Sequence, residues 1–412
     1  MACHLQRSIM ISIQEAKKHI HTSFFVPEKI FVNLENSLNY FLAEDICADR
    51  DYPPFNRAAV DGYAVRFSDI DAGKKKFHIA AEIFPGERFD QVVENGRCVK
   101  IMTGSAVPHD FDVLFKVEHC EAIDNVVTIP EKEIGRGLNI SQRGENIKKG
   151  EIIVRKGTRI DERTVHSLAA TGLHSVPVFS LPEIHIISTG NEVVSVNQQP
   201  SEFQIRDSNY FGLLFQLARF NIKPKSRQLL GDEKEEIRNG ISASLDGDIL
   251  IISGGVSMGD RDFVPEILNE LGVTKIFHHV NVKPGKPLWF GHRKSKDTNK
   301  YVFVFALPGN PFSTIVSYKI FIEPWLYACF QNNGQKHFFL PMEHDKIIKT
   351  DRPEYIPAKI ISKPDQTSSL EILKFHGSGD ITATSGSDGL VFVSNEKSSL
   401  QKGDAVEFIP WN

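Results

Sequence analysis

Two lysines flank a Pro-Gly pair in the run Asn281-Val282-Lys283-Pro284-Gly285-Lys286-Pro287-Leu288. Proline presets one dihedral and glycine takes the positive φ that follows, so the chain reverses tightly there. The reversal holds two ammonium groups close together, and their repulsion costs energy unless an anion, a carboxylate or water shares the site. The chemistry on offer is oxyanion binding; the plain alternative is a pair of solvated lysines beside a turn. Three more glycine-rich turns follow strand-like runs: Ser188-Thr189-Gly190-Asn191-Glu192, Ser253-Gly254-Gly255-Val256-Ser257-Met258-Gly259 and Leu307-Pro308-Gly309-Asn310-Pro311. Glycine lets backbone N–H groups approach phosphate oxygens closely, and a helix starting after such a loop adds a favourable dipole. Together these loops predict a single elongated pocket. Ser313-Thr314 opens a helix-like run after the last of them, and its hydroxyls either cap that helix or touch an oxyanion.

Carboxylates complete this chemistry. Glu192 lies just past one loop, Asp262 follows another, and Asp232 follows Gly231 at the mouth of a helix. Mg²⁺ is held by one or two carboxylates, phosphate oxygens and water, which makes Asp262 and Asp232 metal candidates. Asp232, set before Glu233-Lys234-Glu235-Glu236, is equally an ordinary helix cap. Glu192 and Asp262 are otherwise solvated loop carboxylates. Two further clusters lie upstream, Pro53-Pro54-Phe55-Asn56-Arg57-Ala58-Ala59-Val60-Asp61-Gly62-Tyr63-Ala64 and Met102-Thr103-Gly104-Ser105-Ala106-Val107-Pro108. Their turns need only Gly and Pro; Asp61 and Thr103 either face a ligand or bond their own backbone, and the backbone is the preferred reading.

These residues need a scaffold. Ile184-His185-Ile186-Ile187-Ser188 and Asp248-Ile249-Leu250-Ile251-Ile252-Ser253 are continuous apolar runs, as expected of strands buried on both faces of a parallel sheet. Helical periodicity over Ser208 to Phe220 and Glu233 to Leu245 alternates with them, which predicts a doubly wound α/β domain from Ile184 to about Phe330. In such sheets ligands bind beyond the carboxyl ends of the strands, where the glycine loops gather. From Tyr52 to about Gly150 short β runs such as Phe77 to Ala80 and Val113 to Val117 alternate with turns, a small, mostly β domain. An amphipathic helix is expected over Ile13 to Phe24, a helix or an irregular stretch over Ser37 to Ile46, a helix over Asp161 to Ala170, and a strand over Ser175 to Phe179. Beyond Asn332 the short β runs return and end in Val406 to Ile409, a small barrel or sandwich.

Composition narrows the class. At 412 residues the chain exceeds one hydrophobic core, and about two to four domains are expected. An apolar fraction of 41% and a charged fraction of 24% describe an ordinary globular protein rather than a disordered one. The net charge of −4 leaves no electrostatic footprint for nucleic acid or an anionic membrane, so any anion site is local. Cys3, Cys47, Cys98, Cys120 and Cys329 are scattered, without metal-ligand spacing, as expected in a reducing compartment. The amino terminus carries no apolar signal core and no run is long enough to span a membrane, so a cytoplasmic location is expected.

The motifs resemble one family closely, the molybdopterin molybdenumtransferases, which include the MoeA proteins and gephyrin E domains. P-x-F-x-x-[SA]-x-x-D-G-Y-A is matched by Pro53 to Ala64, M-T-G-x-x-x-P by Met102 to Pro108, and S-T-G-[DN]-E by Ser188 to Glu192. D-S-N is matched by Asp207 to Asn209, S-G-G-V-S-x-G-x-x-D by Ser253 to Asp262, K-P-G-K-P by Lys283 to Pro287, and L-P-G-N-P-x-S by Leu307 to Ser313. The matches are collinear across nearly the whole chain. The resemblance implies an elongated homodimer and a multidomain α/β plus β fold. Its parts are an amino-terminal helix (1–28) packing on the α/β domain, a linking domain (29–50 and 147–180) and a mostly β domain (51–146). A central doubly wound, MogA-like molybdopterin-binding domain (181–330) and a carboxy-terminal β barrel-like domain (331–412) complete it. It further implies that adenylylated molybdopterin and molybdate are substrates, and that Mg²⁺-dependent hydrolysis of the adenylyl group releases molybdenum cofactor and AMP.

By motif, Lys283, Lys286 and Ser313, with Arg352 and Ser378 from the last domain, would hold molybdate. Glu192, Asp232 and Asp262 match acidic pocket positions, with Asp262 the foremost Mg²⁺ ligand and Asp232 the second; Asp61 and Thr103 join the catalytic candidates. Gly190, Ser253, Gly254, Gly255, Pro308 and Gly309 would line the pterin nucleotide. A separate adenylylating enzyme is an implied partner. The chain departs from the family pattern N-I-R-x-x-G-E-D: Asn139-Ile140-Ser141-Gln142-Arg143-Gly144-Glu145-Asn146 has Ser141 and Asn146 where the family has Arg and Asp. Arg143 is a substitute guanidinium, whereas Asn146 carries no charge; the family serine is also Ala58. Two alternatives stand beside insertion: a molybdopterin adenylyltransferase, and a non-catalytic scaffold paralogue.

Overall fold

The computed structural model describes residues 10–131, 134–257, 259, 262–294, 300–334, 337–362, 364 and 367–411. Cys3 and Met258 lie outside the described residues. The chain forms two compact units, one of Met1–Ala43, Gly157–Asp161 and Pro177–Asn412, the other of Glu44–Lys156 and Glu162–Val176.

The larger unit is built on a six-stranded sheet in the order Ser226–Leu230, Ile184–Thr189, Ile249–Ser253, Tyr301–Leu307, Trp289–Lys294, Thr274–His278. The first four strands are parallel, Trp289–Lys294 runs antiparallel to them, and Thr274–His278 pairs antiparallel with Trp289–Lys294. The apolar runs are continuous because both faces are covered. On one face Ile184, Ile186, Ile249, Ile251, Phe303 and Phe305 pack with Leu213 and Leu217 of helix Ser208–Ala218. On the other, Ile187, Leu250, Ile252 and Val304 pack with helices Lys234–Ala243 and Val264–Glu270. The amino-terminal helix is shorter than its periodicity predicts. It spans Ile13–Ile20, opened by a capping box between Ser12 and Glu15, and Phe24 lies beyond it, 41% exposed. The stretch from Ser37 to Ile46 takes the irregular alternative, with isolated bridges at Phe41 and Leu42.

Helix Pro311–Ser317 runs through a π-helical turn, Tyr318–Ile322, into Glu323–Cys329. Lys319 of that turn and Glu323, which opens the following helix, form a buried ion pair at 2.8 Å, with side chains 1% and 2% exposed. Lys319 and Arg219 both donate to the Trp411 carbonyl, which fixes the end of the last strand to the helix. That strand, Ala405–Pro410, belongs to a five-stranded antiparallel sheet in the order Phe338–Pro341, Ala405–Pro410, Gly389–Val393, Glu354–Ile361, Ser369–Ile372.

The smaller unit holds a second six-stranded sheet: Val113–Lys116, Gly62–Val65, Arg97–Ile101, Lys76–Ile83, Val126–Thr128, Glu121–Ile123. Both of its faces are buried. Ala64, Val99, Ile101 and Leu114 form one core, while Tyr63, Val65, Cys98, Val113 and Phe115 form the other, as the two-residue period of a strand requires. Among the described residues no helix is long and apolar enough to cross a membrane. Of the four described cysteines, all free, burial pushes the Cys98 and Cys329 thiols up to about 12.

Candidate functional site

Strand register gathers the glycine loops. Ser188 sits opposite Ser253, Ser253 opposite Leu307 and Thr189 opposite Leu230, so four parallel strands end at one level. Their loops enclose a cavity of about 710 Å³ lined by Gly190, Asn209, Ser253, Gly254, Gly255, Pro308 and Gly309, together with Glu192, Asp232 and Asp262. The backbone comes very close here. Gly254 has φ +101°, and a Cβ on it would lie 2.6 Å from the Thr189 carbonyl oxygen, so only glycine fits.

Asn209 ties the loops together, its Nδ2 donating to Ser253 Oγ at 2.8 Å and to the Gly309 carbonyl at 2.7 Å. Because both amide protons are used, its Oδ1 is fixed as an acceptor. That Oδ1, Ser188 Oγ and Thr189 Oγ1 are buried and lack hydrogen-bond partners among the described residues. Each unmet buried polar group costs about 1–3 kcal/mol, which a polar ligand in the cavity would relieve. Asp207 sets the angle of Asn209: its carboxylate accepts the Tyr210 N–H at 3.1 Å and pairs with Arg227 at 3.0 Å.

The acids are placed individually rather than clustered. Asp232 Oδ2 accepts the Asn191 N–H, and Asn191 Oδ1 accepts the Asp232 N–H, both at 3.1 Å. This reciprocal bond replaces the helix-cap role, since the following helix starts from Glu233 without a side-chain cap. Asp262 Oδ2 accepts the Gly259 N–H at 2.6 Å. Among the described residues no group of three or more His, Cys, Asp or Glu side chains is arranged to hold a metal. Asp232 and Asp262 each keep a second oxygen without a donor among the described residues, which fits a cation held jointly with ligand phosphates.

The lysine turn opens on a second cavity. The expected single pocket is instead two adjoining ones, which share Pro287, Pro308 and Asn310. The second, of about 360 Å³, brings together Lys283, Lys286, Ser313, Arg352 and Ser378. Gly285 has φ +106°, as the reversal requires. Helix Pro311–Ser317 places Ser313, while Thr314 turns its hydroxyl back onto the Pro308 carbonyl at 2.6 Å and is not aimed at a ligand. Ser378 is held from both sides: Asn310 Nδ2 donates to its hydroxyl at 2.8 Å and the Phe312 N–H to its carbonyl at 3.1 Å. Lys283 meets Glu354 at 3.0 Å. The arrangement suits a small tetrahedral oxyanion beside a larger phosphorylated ligand.

In the smaller unit Asp61 and Thr103 bind each other. Asp61 Oδ1 accepts both the Thr103 N–H at 2.7 Å and its hydroxyl at 2.6 Å, and these bonds lower the Asp61 pKa. The sequence alone favours bonds from each to its own backbone; the two instead bond each other across 42 residues, a partner that only the tertiary fold supplies. Arg143 pairs with Asp51 at 2.6 Å, Ser141 lies opposite Arg57 in a two-residue ladder, and the Asn146 N–H donates to the Tyr52 carbonyl at 3.0 Å.

Within the D-S-N motif Asn209 has no task legible from the sequence, and the sequence does not mark Ser188, Thr189, Asn310 or Glu354 as site residues. Asn209 had a local signal, a polar residue following the N-cap of a helix. For Glu354 the only signal was its place beside Arg352.

Residues 11–172 match the MoeA N-terminal region (domain I and II), 185–328 a probable molybdopterin binding domain, and 343–411 the MoeA C-terminal region (domain IV). A molybdopterin molybdenumtransferase of Synechocystis sp. is 30% identical over 98% of this chain and 100% of its own length. Another, from Haemophilus influenzae, is 28% identical over 98% of this chain and 99% of its own. A crystal structure of a molybdopterin biosynthesis MoeA protein from Pyrococcus horikosii superimposes with a TM-score of 0.78 at 28% identity, covering 98% of this chain and 100% of that one. On these matches, which run nearly end to end, the chain belongs to the MoeA family.

Proposed function

We propose that this protein is a molybdopterin molybdenumtransferase, a transferase of molybdenum cofactor biosynthesis that inserts molybdate into adenylylated molybdopterin and releases AMP. The observation that carries the reading is the pair of adjoining cavities, one lined by glycine loops and one by cations. Lys283, Lys286 and Arg352 attract the molybdate oxyanion, and the Ser313 and Ser378 hydroxyls orient it. Loop amides around Gly190, Gly254, Gly255 and Gly309 hold the phosphates, and Asn209 Oδ1, Ser188 and Thr189 meet polar edges of the ligand. Asp262 and Asp232 would hold Mg²⁺, which supplies neutralisation of phosphate charge and polarisation of the attacked phosphorus. Glu192 completes the catalytic set. The working form is a homodimer, supplied with adenylylated substrate by a separate adenylylating enzyme.

The test is incubation with adenylylated molybdopterin, molybdate and Mg²⁺. Molybdate-dependent AMP release is the expected result. No AMP under any metal condition would leave a scaffold paralogue, and consumption of ATP with molybdopterin would mark an adenylyltransferase.

A further inference from the structure

The two lysines of the turn are not equivalent. Backbone bonds bracket the first: the Lys283 N–H donates to the Pro353 carbonyl at 2.9 Å, and the Tyr355 N–H donates to the Lys283 carbonyl at 2.8 Å. This bridge sets Lys283 opposite Glu354 whatever their side chains do. Glu354 is buried, with its side chain only 10% exposed, and its carboxylate takes the half-exposed Lys283 ammonium at 3.0 Å. Among the described residues Lys286 has no carboxylate within ion-pair distance. The charged groups lining the cavity are therefore Lys283, Lys286 and Arg352 against the carboxylate of Glu354, while Arg352 also meets the exposed Asp351 carboxylate at 3.3 Å outside the lining.

We infer that Glu354 is a built-in counter-ion that sets the affinity and charge selectivity of the lysine-turn cavity. The inference rests on the reading that this cavity takes an oxyanion. Glu354 cancels one of the three lining cations from inside the cavity, and the exposed Asp351 offsets part of the Arg352 charge from outside it, so the remaining positive excess suits a small anion better than a polyanion. A carboxylate at this range repels any anion in proportion to the anion's charge, so it penalises a phosphoanhydride tail more than a dianion. The more highly charged phosphates are thereby steered to the glycine loops of the adjoining cavity. Glu354 is a selectivity-setting residue, and Lys286, the lining cation with no carboxylate partner among the described residues, is the principal anchor.

Calorimetric titration of the full chain with molybdate and with pyrophosphate tests this. Glu354→Gln keeps an acceptor for Lys283 but removes the charge. It is expected to bind molybdate about tenfold more tightly, to gain more for pyrophosphate, and to show a steeper salt dependence. Unchanged or weaker molybdate binding by a folded Glu354→Gln protein overturns the inference. A second pair guards against a folding defect. Lys283→Met leaves the carboxylate uncompensated, and adding Glu354→Gln to it is expected to restore affinity; no restoration overturns the inference. These failures leave the proposed function standing. Absence of molybdate binding by the unaltered protein removes the oxyanion reading and this inference with it.

Discussion

The glycine-loop cavity is made largely of backbone, and the lysine-turn cavity largely of side chains. The first forms where four registered parallel strands stop together, so its amides and the Asn209 strut are set by the sheet. The second draws Lys283 and Lys286 from one turn, Ser313 from a helix start, and Arg352 and Ser378 from a separate sheet region. The difference teaches how each tolerates change. Backbone-built sites resist side-chain substitution except where a Cβ intrudes, whereas a site of converging charges depends on each cation and on the counter-ion among them.

That contrast can be broken experimentally. The largest effect is expected from Lys283→Ala with Lys286→Ala. Each charge-assisted contact contributes about 1.5–3 kcal/mol, so molybdate affinity falls by about 10²–10⁴-fold, while AMP binding in the other cavity changes little. Equal loss of both ligands in calorimetry would merge the two cavities into one functional unit. Next, Asp262→Asn is expected to slow AMP release by about 10²-fold without altering molybdate affinity, as measured by single-turnover kinetics. Asn209→Ala removes a strut and a fixed acceptor, worth about 1–1.5 kcal/mol, so nucleotide binding weakens about tenfold. Molybdate binding that weakens equally would show that the strut serves both cavities.

The smallest effect concerns pH and the stem of the lysine turn. The His279 N–H donates to the Leu288 carbonyl and the Val280 N–H to the Lys286 carbonyl, closing that stem. Burial, with His278 and Lys286 adding repulsion, holds His279 at about 4 against an ordinary value of 6.5. The unfolded chain therefore takes up a proton before the folded one does, and stability is lost as pH falls from about 6.5 towards about 4. His279 has φ +76°, a conformation that asparagine accepts, so His279→Asn is expected to flatten the fall in melting temperature across that range. An unchanged slope would place the acid sensitivity elsewhere.

Much of the α/β unit was legible because its signals are local. Ile184 to Ser188 and Asp248 to Ser253 announce doubly buried strands, and Ser208 to Phe220 a helix, through periodicity alone. The end of the first helix was less legible: Phe24 continues the spacing after Ile20, yet the backbone stops helical bonding there, and spacing cannot report that. The two antiparallel pairings made by Trp289–Lys294 were also hidden, since strand direction is decided by partners.

The sequence by itself determined the loops and their chemistry: Gly285 after Pro284 accepts the positive φ of a tight reversal, prolines stiffen the turns, and the collinear motifs point to one family. These properties reside in dihedral preference and residue type, which travel with the chain. Only the tertiary structure decided that the loops make two cavities, that Asp232 exchanges bonds with Asn191, and that Glu354 claims Lys283. Each is a contact between segments far apart in the chain. Packing and register fix such contacts, and no local pattern encodes them.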